Sequence, residues 1–220
     1  MPARYDAVVF DLDGTLIDTE SLCNAAGVEA CAALGLPVTL AFFESLAGID
    51  DRTRARLIEE HVGSPVELGA FLAEWDRLCT LRFQGGIPVK TGAVDLLDRL
   101  GALGVPLALA TSSRRGPAAE KLAASDLARH FRAVVTFDDV AAPKPAPDAY
   151  LLAAERLGAD PRRCLAFEDS EPGARAAHAA GCTVVQVPDL HPTKGAHAHI
   201  VASSLLEGAA LAGLLAPQGA

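Results

Sequence analysis

Basic charge is what this sequence lacks most. Only four lysines occur among its 220 residues (Lys90, Lys121, Lys144 and Lys194), and the 19 Lys and Arg together face 28 Asp and Glu, for a net charge of -9. That balance excludes a nucleic-acid partner, which needs a basic face, and attraction to an anionic membrane surface. No uninterrupted apolar run reaches the ~20 residues that a spanning helix needs. The start, Met1-Pro2-Ala3-Arg4-Tyr5-Asp6, has no apolar signal-peptide core and runs straight into a strand-like segment, so the expectation is a cytoplasmic protein outside the membrane. The five cysteines (Cys23, Cys31, Cys79, Cys164 and Cys182) are odd in number and dispersed, with no CxxC pair. A disulfide framework and a zinc site are both disfavoured, and the cysteines read as small hydrophobes in a reducing compartment.

What is present is enough for a substantial core. Half of the residues are apolar and 21% are charged. The length allows one large domain, or a core with one sizeable insertion. Ala7 to Phe10 reads as a short buried strand. From Asp18 to about Phe83 the pattern is helical, with helices predicted near Ser21–Leu34, Asp51–His61 and Pro65–Phe83 and no convincing strand. Gly85-Gly86-Ile87-Pro88 then punctuates the chain. Beyond it helix and strand alternate, with strands predicted at Pro106–Ala110, Ala133–Thr136, Cys164–Phe167 and Thr183–Val187. The helices between them are expected near Gly92–Leu103, Pro117–Ala128, Asp148–Leu157 and Pro172–Ala180. Such alternation implies an α/β core with a parallel sheet covered on both faces, here carrying an all-helical insertion. The expected division is 1–17 with 87–220 for the core and 18–86 for the insertion. The tail after Ala216 reads as frayed.

Ligands of parallel sheets sit at the carboxyl ends of the strands, so the polar residues there carry the functional argument. The first strand ends Asp11-Leu12-Asp13-Gly14-Thr15. Residues two apart in an extended chain point the same way, so Asp11 and Asp13 can face one point. Glu168 and Asp169 follow a later strand and add two acids at the same edge. Carboxylates that close repel one another unless a proton or a cation compensates, and an oxygen-only set selects magnesium over zinc or copper. Thr111-Ser112-Ser113 follow another strand, with Pro117 suited to a first helical position, which offers hydroxyls and N–H groups to an anion. Lys144 stands between Pro143 and Pro145, held in an extended loop before a helix. In the last core helix Gly173, Ala177 and Ala180 leave one face nearly bare for close packing under the Glu168/Asp169 turn.

Taken in order, these segments resemble the haloacid dehalogenase-like hydrolase superfamily, in its phosphatase and β-phosphoglucomutase-like branch with a helical cap. Asp11-Leu12-Asp13-Gly14-Thr15-Leu16, Thr111-Ser112-Ser113, Lys144-Pro145-Ala146-Pro147-Asp148 and Glu168-Asp169-Ser170-Glu171-Pro172-Gly173-Ala174 match its four motifs. The resemblance spans nearly the whole chain and implies a Rossmann-like core and magnesium-dependent phosphoryl transfer. It implies Asp11 as the nucleophile of an aspartyl-phosphate, and Asp13 as acid and base that also turns its carbonyl to the metal. Thr111, Ser112 and Lys144 would bind the phosphate, and Asp169 with Glu168 would complete the metal site. Dehalogenation itself is disfavoured, because it has no alkoxide for Asp13 to protonate.

The insertion departs from the mutase pattern. Where that pattern carries a histidine this chain has Cys23, and where it carries an arginine after a cap glycine, here Gly48, this chain has Asp51, with Arg52 one place later. No lysine lies in the insertion, which also disfavours the phosphonate-cleaving relatives. Arg52, Arg77 and Arg82 are the candidate substrate contacts there. His191, His197 and His199 lie past the last expected strand and do not read as a metal tract. The two crossings between core and insertion, around Ile17–Thr19 and at Gly85-Gly86, read as a hinge. The reading is a phosphatase of small phosphorylated metabolites, a sugar phosphate or a phosphoglycolate-like monoester, acting as a monomer or weak homodimer. A sugar-phosphate mutase and a catalytically silent binding module are the alternatives.

Overall fold

The computed structural model describes residues 4–46, 49–189 and 193–215. The chain divides into two compact units, Met1–Asp18 with Pro88–Ala220, and Thr19–Ile87. Among the described residues no helix is long and apolar enough to cross a membrane.

The first unit is a Rossmann-like α/β fold. Its strands are β1 (Ala7–Phe10), β2 (Leu107–Ala110), β3 (Ala133–Val135), β4 (Cys164–Glu168), β5 (Thr183–Gln186) and β6 (Ile200–Val201), all parallel in the order β3-β2-β1-β4-β5-β6. β1, β2 and β4 are buried at every residue, as expected of short apolar runs covered on both faces. The chain leaves β1 toward β2 and β3, then returns to lay β4 on the other side of β1, with Phe10 paired to Phe167. The order therefore reverses between β1 and β4, and a crevice opens at the strand ends there.

The second unit is helical: α1 (Thr19–Ala33), α2 (Leu40–Glu44), α3 (Asp51–Val62) and α4 (Leu68–Gln84). Its core gathers Ala30, Cys31, Leu36, Phe43, Leu46, Ile58 and Phe71, with Trp75 edge-on to Phe43 at 5.3 Å between ring centres. Gly27, in the middle of α1, sits under Phe43; a Cβ there would lie 2.1 Å from the ring. α2 was not expected from sequence. It is five residues long, too short for a helical period to show, and Thr39 caps it by accepting from the Phe42 N–H.

The remaining helices belong to the first unit: α5 (Ala93–Ala102), α6 (Arg115–Ser125), α7 (Asp148–Leu157), α8 (Glu171–Ala179) and α9 (Leu205–Leu211). α6 corrects one expectation. It begins at Arg115, so Pro117 is its third residue rather than its first. The Arg114 side chain makes no cap hydrogen bond; instead Asp138, beyond β3, accepts from the Arg115 N–H at 2.9 Å. A cap supplied from 23 residues away leaves no local signature. β6 and α9 were also unforeseen, since a two-residue strand has no measurable alternation. His199 lies just before β6, where its Nδ1 accepts from the Val184 N–H at 3.0 Å, so it ties β5 to the segment that follows it. His191, Gly48 and the tail from residue 216 fall outside the described residues. Cys31, Cys79, Cys164 and Cys182 are buried, Cys23 is half-buried, and none of the five is in a disulfide.

Candidate active site

The site is built on the loop that leaves β1. The Asp11 N–H donates to the Phe167 carbonyl at 3.0 Å, which continues the β1–β4 pairing one residue past the strand. The chain then turns sharply at Gly14, whose φ of +83° is a left-handed conformation. Space demands glycine there as well, because a Cβ would stand 2.5 Å from Asp169 Oδ2. The turn brings Thr15 Oγ1 to donate to Asp169 Oδ1 at 3.2 Å.

Lys144 reaches this loop from between β3 and α7. Its Nζ donates to Asp11 Oδ1 and to Glu168 Oε1, each at 2.6 Å. All three side chains are nearly or wholly buried, with exposures of 5% for Lys144, 9% for Asp11 and none for Glu168. Prolines do not hold the lysine loop alone, since Asp148 at the start of α7 accepts from the Ala142 N–H at 3.2 Å. Glu168 is tied down from several sides. Tyr150 Oη donates to Oε1 at 2.6 Å, and Ser170 Oγ donates to Oε2 at 3.1 Å. Gly173 in α8 completes the cradle, because a Cβ there would lie 1.9 Å from Glu168 Oε1. The bare face of α8 thus receives a carboxylate, beyond the backbone packing that the sequence suggested.

Asp11, Glu168 and Asp169 form a cluster that could hold a metal ion, with one ligand oxygen from each lying within 4.8 Å of the others. Burial, reinforced by Glu168 and Asp169 and opposed by Lys144, pushes the Asp11 carboxyl well above the usual range. Burial and the neighbouring Glu168 raise Asp169 to about 7, against the pull of the Thr15 hydrogen bond. The Lys144 ammonium is disfavoured by burial, but Asp11 and Glu168 outweigh this and hold it charged, with its pKa raised. One ammonium is set against three crowded carboxylates, so a second, hard cation fits this all-oxygen donor set.

Asp13 has a separate environment. Ser113 Oγ donates to its Oδ2 at 2.9 Å, and Lys121 Nζ donates to its Oδ1 at 2.7 Å and to Ser113 Oγ at 3.0 Å. Thr111 is buried and its Oγ1 accepts from the Ser113 N–H at 3.0 Å, while Ser112 is exposed. Asp11, Asp13, Thr111, Ser112, Lys144 and Asp169 line one cleft of about 240 Å³. Of the phosphate- and metal-binding candidates, Glu168 alone is not on this lining, and it is joined to Asp11 through the shared Lys144 ammonium. Sequence reasoning assigned no role to Lys121, Tyr150 or Thr15, and it offered the Ser113 hydroxyl to an anion, whereas here it bonds Asp13. Lysine scarcity was the signal that could have found Lys121.

The candidate arginines belong to the helical unit. Arg52 is exposed as the second residue of α3, whose N-cap is Asp50. Arg77 grips Glu74 on its own helix with two nitrogens, at 2.8 and 2.6 Å. Arg82 bonds Glu29 of α1 at 2.7 Å.

Comparison with known proteins gives the family of the chain. A model of the haloacid dehalogenase-like hydrolase family matches residues 5–181. The fructose-1-phosphate phosphatase YqaB of Escherichia coli K12 is 32% identical over 195 residues, covering 85% of this chain and 98% of that protein. A phosphorylated carbohydrates phosphatase of Thermotoga maritima is 32% identical over 176 residues, covering 80% and 82%. Among solved structures, a haloacid dehalogenase family hydrolase from Deinococcus radiodurans R1, with bound phosphate and sodium, superposes with a TM-score of 0.83 at 31% identity, covering 98% of this chain and all of that one. The chain belongs to the haloacid dehalogenase-like hydrolase family.

Proposed function

We propose that this phosphoric monoester hydrolase acts on small phosphorylated metabolites, a sugar phosphate or a phosphoglycolate-like monoester, through an aspartyl-phosphate on Asp11. The observation that carries the reading is the division of labour between two aspartates on one cleft, Asp11 bound by Lys144 and Asp13 bound by Lys121 and Ser113. A carboxylate oxygen of Asp11 attacks phosphorus as the bond to the leaving oxygen breaks, and Asp13 gives its proton to that oxygen. In the second half a water gives its proton to Asp13 and its oxygen to phosphorus. The Asp11–phosphorus bond breaks, and phosphate and the Asp11 carboxylate are released. Lys144 offsets charge on both Asp11 and the transferring group, with Thr111 and Ser112 as further phosphate contacts.

Asp11, Asp169 and the Asp13 backbone carbonyl would hold magnesium. Glu168 completes the acidic cluster while fixing Lys144 from behind. When bound, magnesium supplies charge neutralisation for the transferring phosphoryl group. A cytoplasmic monomer or weak homodimer is consistent with the composition. The mutase alternative gains no support, since Asp51 opens α3 at the place where that pattern carries an arginine, and Cys23 stands for its histidine.

The test is phosphate release from a panel of sugar phosphates, phosphoglycolate and nucleotides, with and without a chelator. We expect turnover that requires magnesium and that falls by ~10⁴-fold or more in Asp11→Asn, which keeps the shape and removes the attacking charge. Full turnover in the chelator would remove the metal site, and wild-type turnover in Asp11→Asn would remove the covalent step.

A further inference from the structure

Asp11 and Asp13 are each bonded by a lysine of their own, and only one of the two lysines lies in a motif named from sequence. Lys121 is the seventh residue of α6, and its side chain is 13% exposed beside an Asp13 that is 30% exposed. Its Nζ closes a three-membered ring. Lys121 donates to Asp13 Oδ1 and to Ser113 Oγ, and Ser113 donates to Asp13 Oδ2. Ser113 is itself fixed, because its N–H donates to Thr111 Oγ1. The two carboxylate oxygens of Asp13 are therefore held by two different groups. A single hydroxyl contact would let the carboxylate rotate about its last bond, but two contacts on opposite oxygens define its plane. Proton transfer needs the donor oxygen within about 3 Å of its partner, and a misplacement of about 1 Å can cost on the order of 100-fold.

We propose that Lys121 is a positioning residue that fixes the plane of the Asp13 carboxylate, so that its cleft-facing edge meets the leaving oxygen of the substrate. This rests on the phosphatase reading above and adds to it a residue seven places inside a helix. Lys144 serves the attacking end of the displacement and Lys121 the leaving end.

The readout is dependence on the leaving group. An alkyl phosphate must have its departing alkoxide protonated, whereas an aryl phosphate with an acidic phenol departs without help. Lys121→Met keeps the length of the stem and removes the charged donor. With a sugar phosphate we expect kcat/KM to fall by roughly 10- to 100-fold, and with the aryl phosphate by less than about 3-fold. Ser113→Ala, which leaves Lys121 in place, should show the same bias toward the alkyl ester at smaller amplitude. Damage to the fold or to phosphate binding would lower both esters alike. Equal losses on the two esters, or no loss on either in both variants, overturns the inference while leaving the phosphatase reading standing. A wild-type protein that hydrolyses neither ester removes the phosphatase reading and the inference with it.

Discussion

The ion pairs of the cleft and the within-helix pairs of the helical unit are organised in opposite ways. In the cleft, partners come from distant parts of the chain and are wholly or partly removed from water: Lys144 bonds Asp11 across 133 residues, and Lys121 bonds Asp13 across 108. In the helical unit the ion pairs Arg54–Asp51, Arg56–Glu60 and Arg77–Glu74 each lie within one helix, three or four residues apart and mostly exposed. Exposed pairs of that kind contribute little to stability, because solvent screens them and the long side chains lose entropy. Buried partners are different, since removing one leaves the other unpaired in a low dielectric. The lesson is that the chemistry of the core is locked into its fold, whereas the charges of the insertion can be exchanged at little cost.

Removing Lys144 should break the comparison most severely. Lys144→Met leaves Asp11 and Glu168 buried without their shared ammonium, beside an Asp169 that is already repelled. We expect a loss of about 3–5 kcal/mol in urea unfolding, the range for one partner lost from a buried pair, together with loss of turnover. Magnesium should restore part of the stability, because it returns positive charge to the cluster, and none of the activity. A loss no larger than that of an exposed pair would show that the cleft and the insertion do not differ as argued.

The insertion has its own rigid element, which is apolar. A Cβ on Gly27 would stand 2.1 Å from Phe43 Cζ and 2.3 Å from Cε1. Phe43 is 1% exposed and packs against both Phe71 and Trp75, which stack on each other, so its ring has little room to slide. Gly27→Ala should therefore cost about 1–3 kcal/mol by overpacking, partly offset by about 1 kcal/mol of helix propensity. The double change Gly27→Ala with Phe43→Leu should recover much of the loss in thermal unfolding. A single Gly27→Ala that raises the melting temperature would contradict the packing.

The same contrast governs how much was legible in the sequence. Strands β1, β2 and β4 announce themselves because each is an apolar run that leads into a polar motif, and β5 because its paired valines follow a helix and a glycine. Asp11, Asp13, Lys144, Glu168 and Asp169 could be named because the strand-to-loop change marks where a parallel sheet presents its ligands. Lys121 escaped because seven residues into a helix there is no such boundary, and nothing local links position 121 to position 13. Tyr150 escaped for a similar reason: it reads as an apolar position on the inward face of α7, and only the fold brings its hydroxyl to Glu168. The start of α6 was misplaced because its cap comes from Asp138. In each case the missing partner is distant along the chain, and local periodicity cannot report it.

The smallest effects should separate two arginines of the helical unit that the sequence left on equal terms. Arg77 uses two guanidinium nitrogens on Glu74, three residues earlier in the same helix, and this contact is the main reason its pKa is raised. Arg52 is exposed, and its side chain makes no hydrogen bond or ion pair among the described residues, although it follows the Asp50 cap by only two positions. An arginine already satisfied by a carboxylate must give up that contact before it can hold a phosphorylated substrate; an unengaged one need not. Arg77→Ala should leave the melting temperature within about 1 °C of wild type and KM within about 2-fold, as for other exposed helical pairs. Arg52→Ala should also leave stability unchanged, but raise KM for a sugar phosphate by roughly 3- to 10-fold without lowering kcat, the pattern of a lost contact made equally in ground and transition states. Parallel titrations of initial rate against substrate for the two variants decide it. A KM that rises in Arg77→Ala and stays fixed in Arg52→Ala would reverse the assignment and show that the Glu74 pair opens to meet substrate.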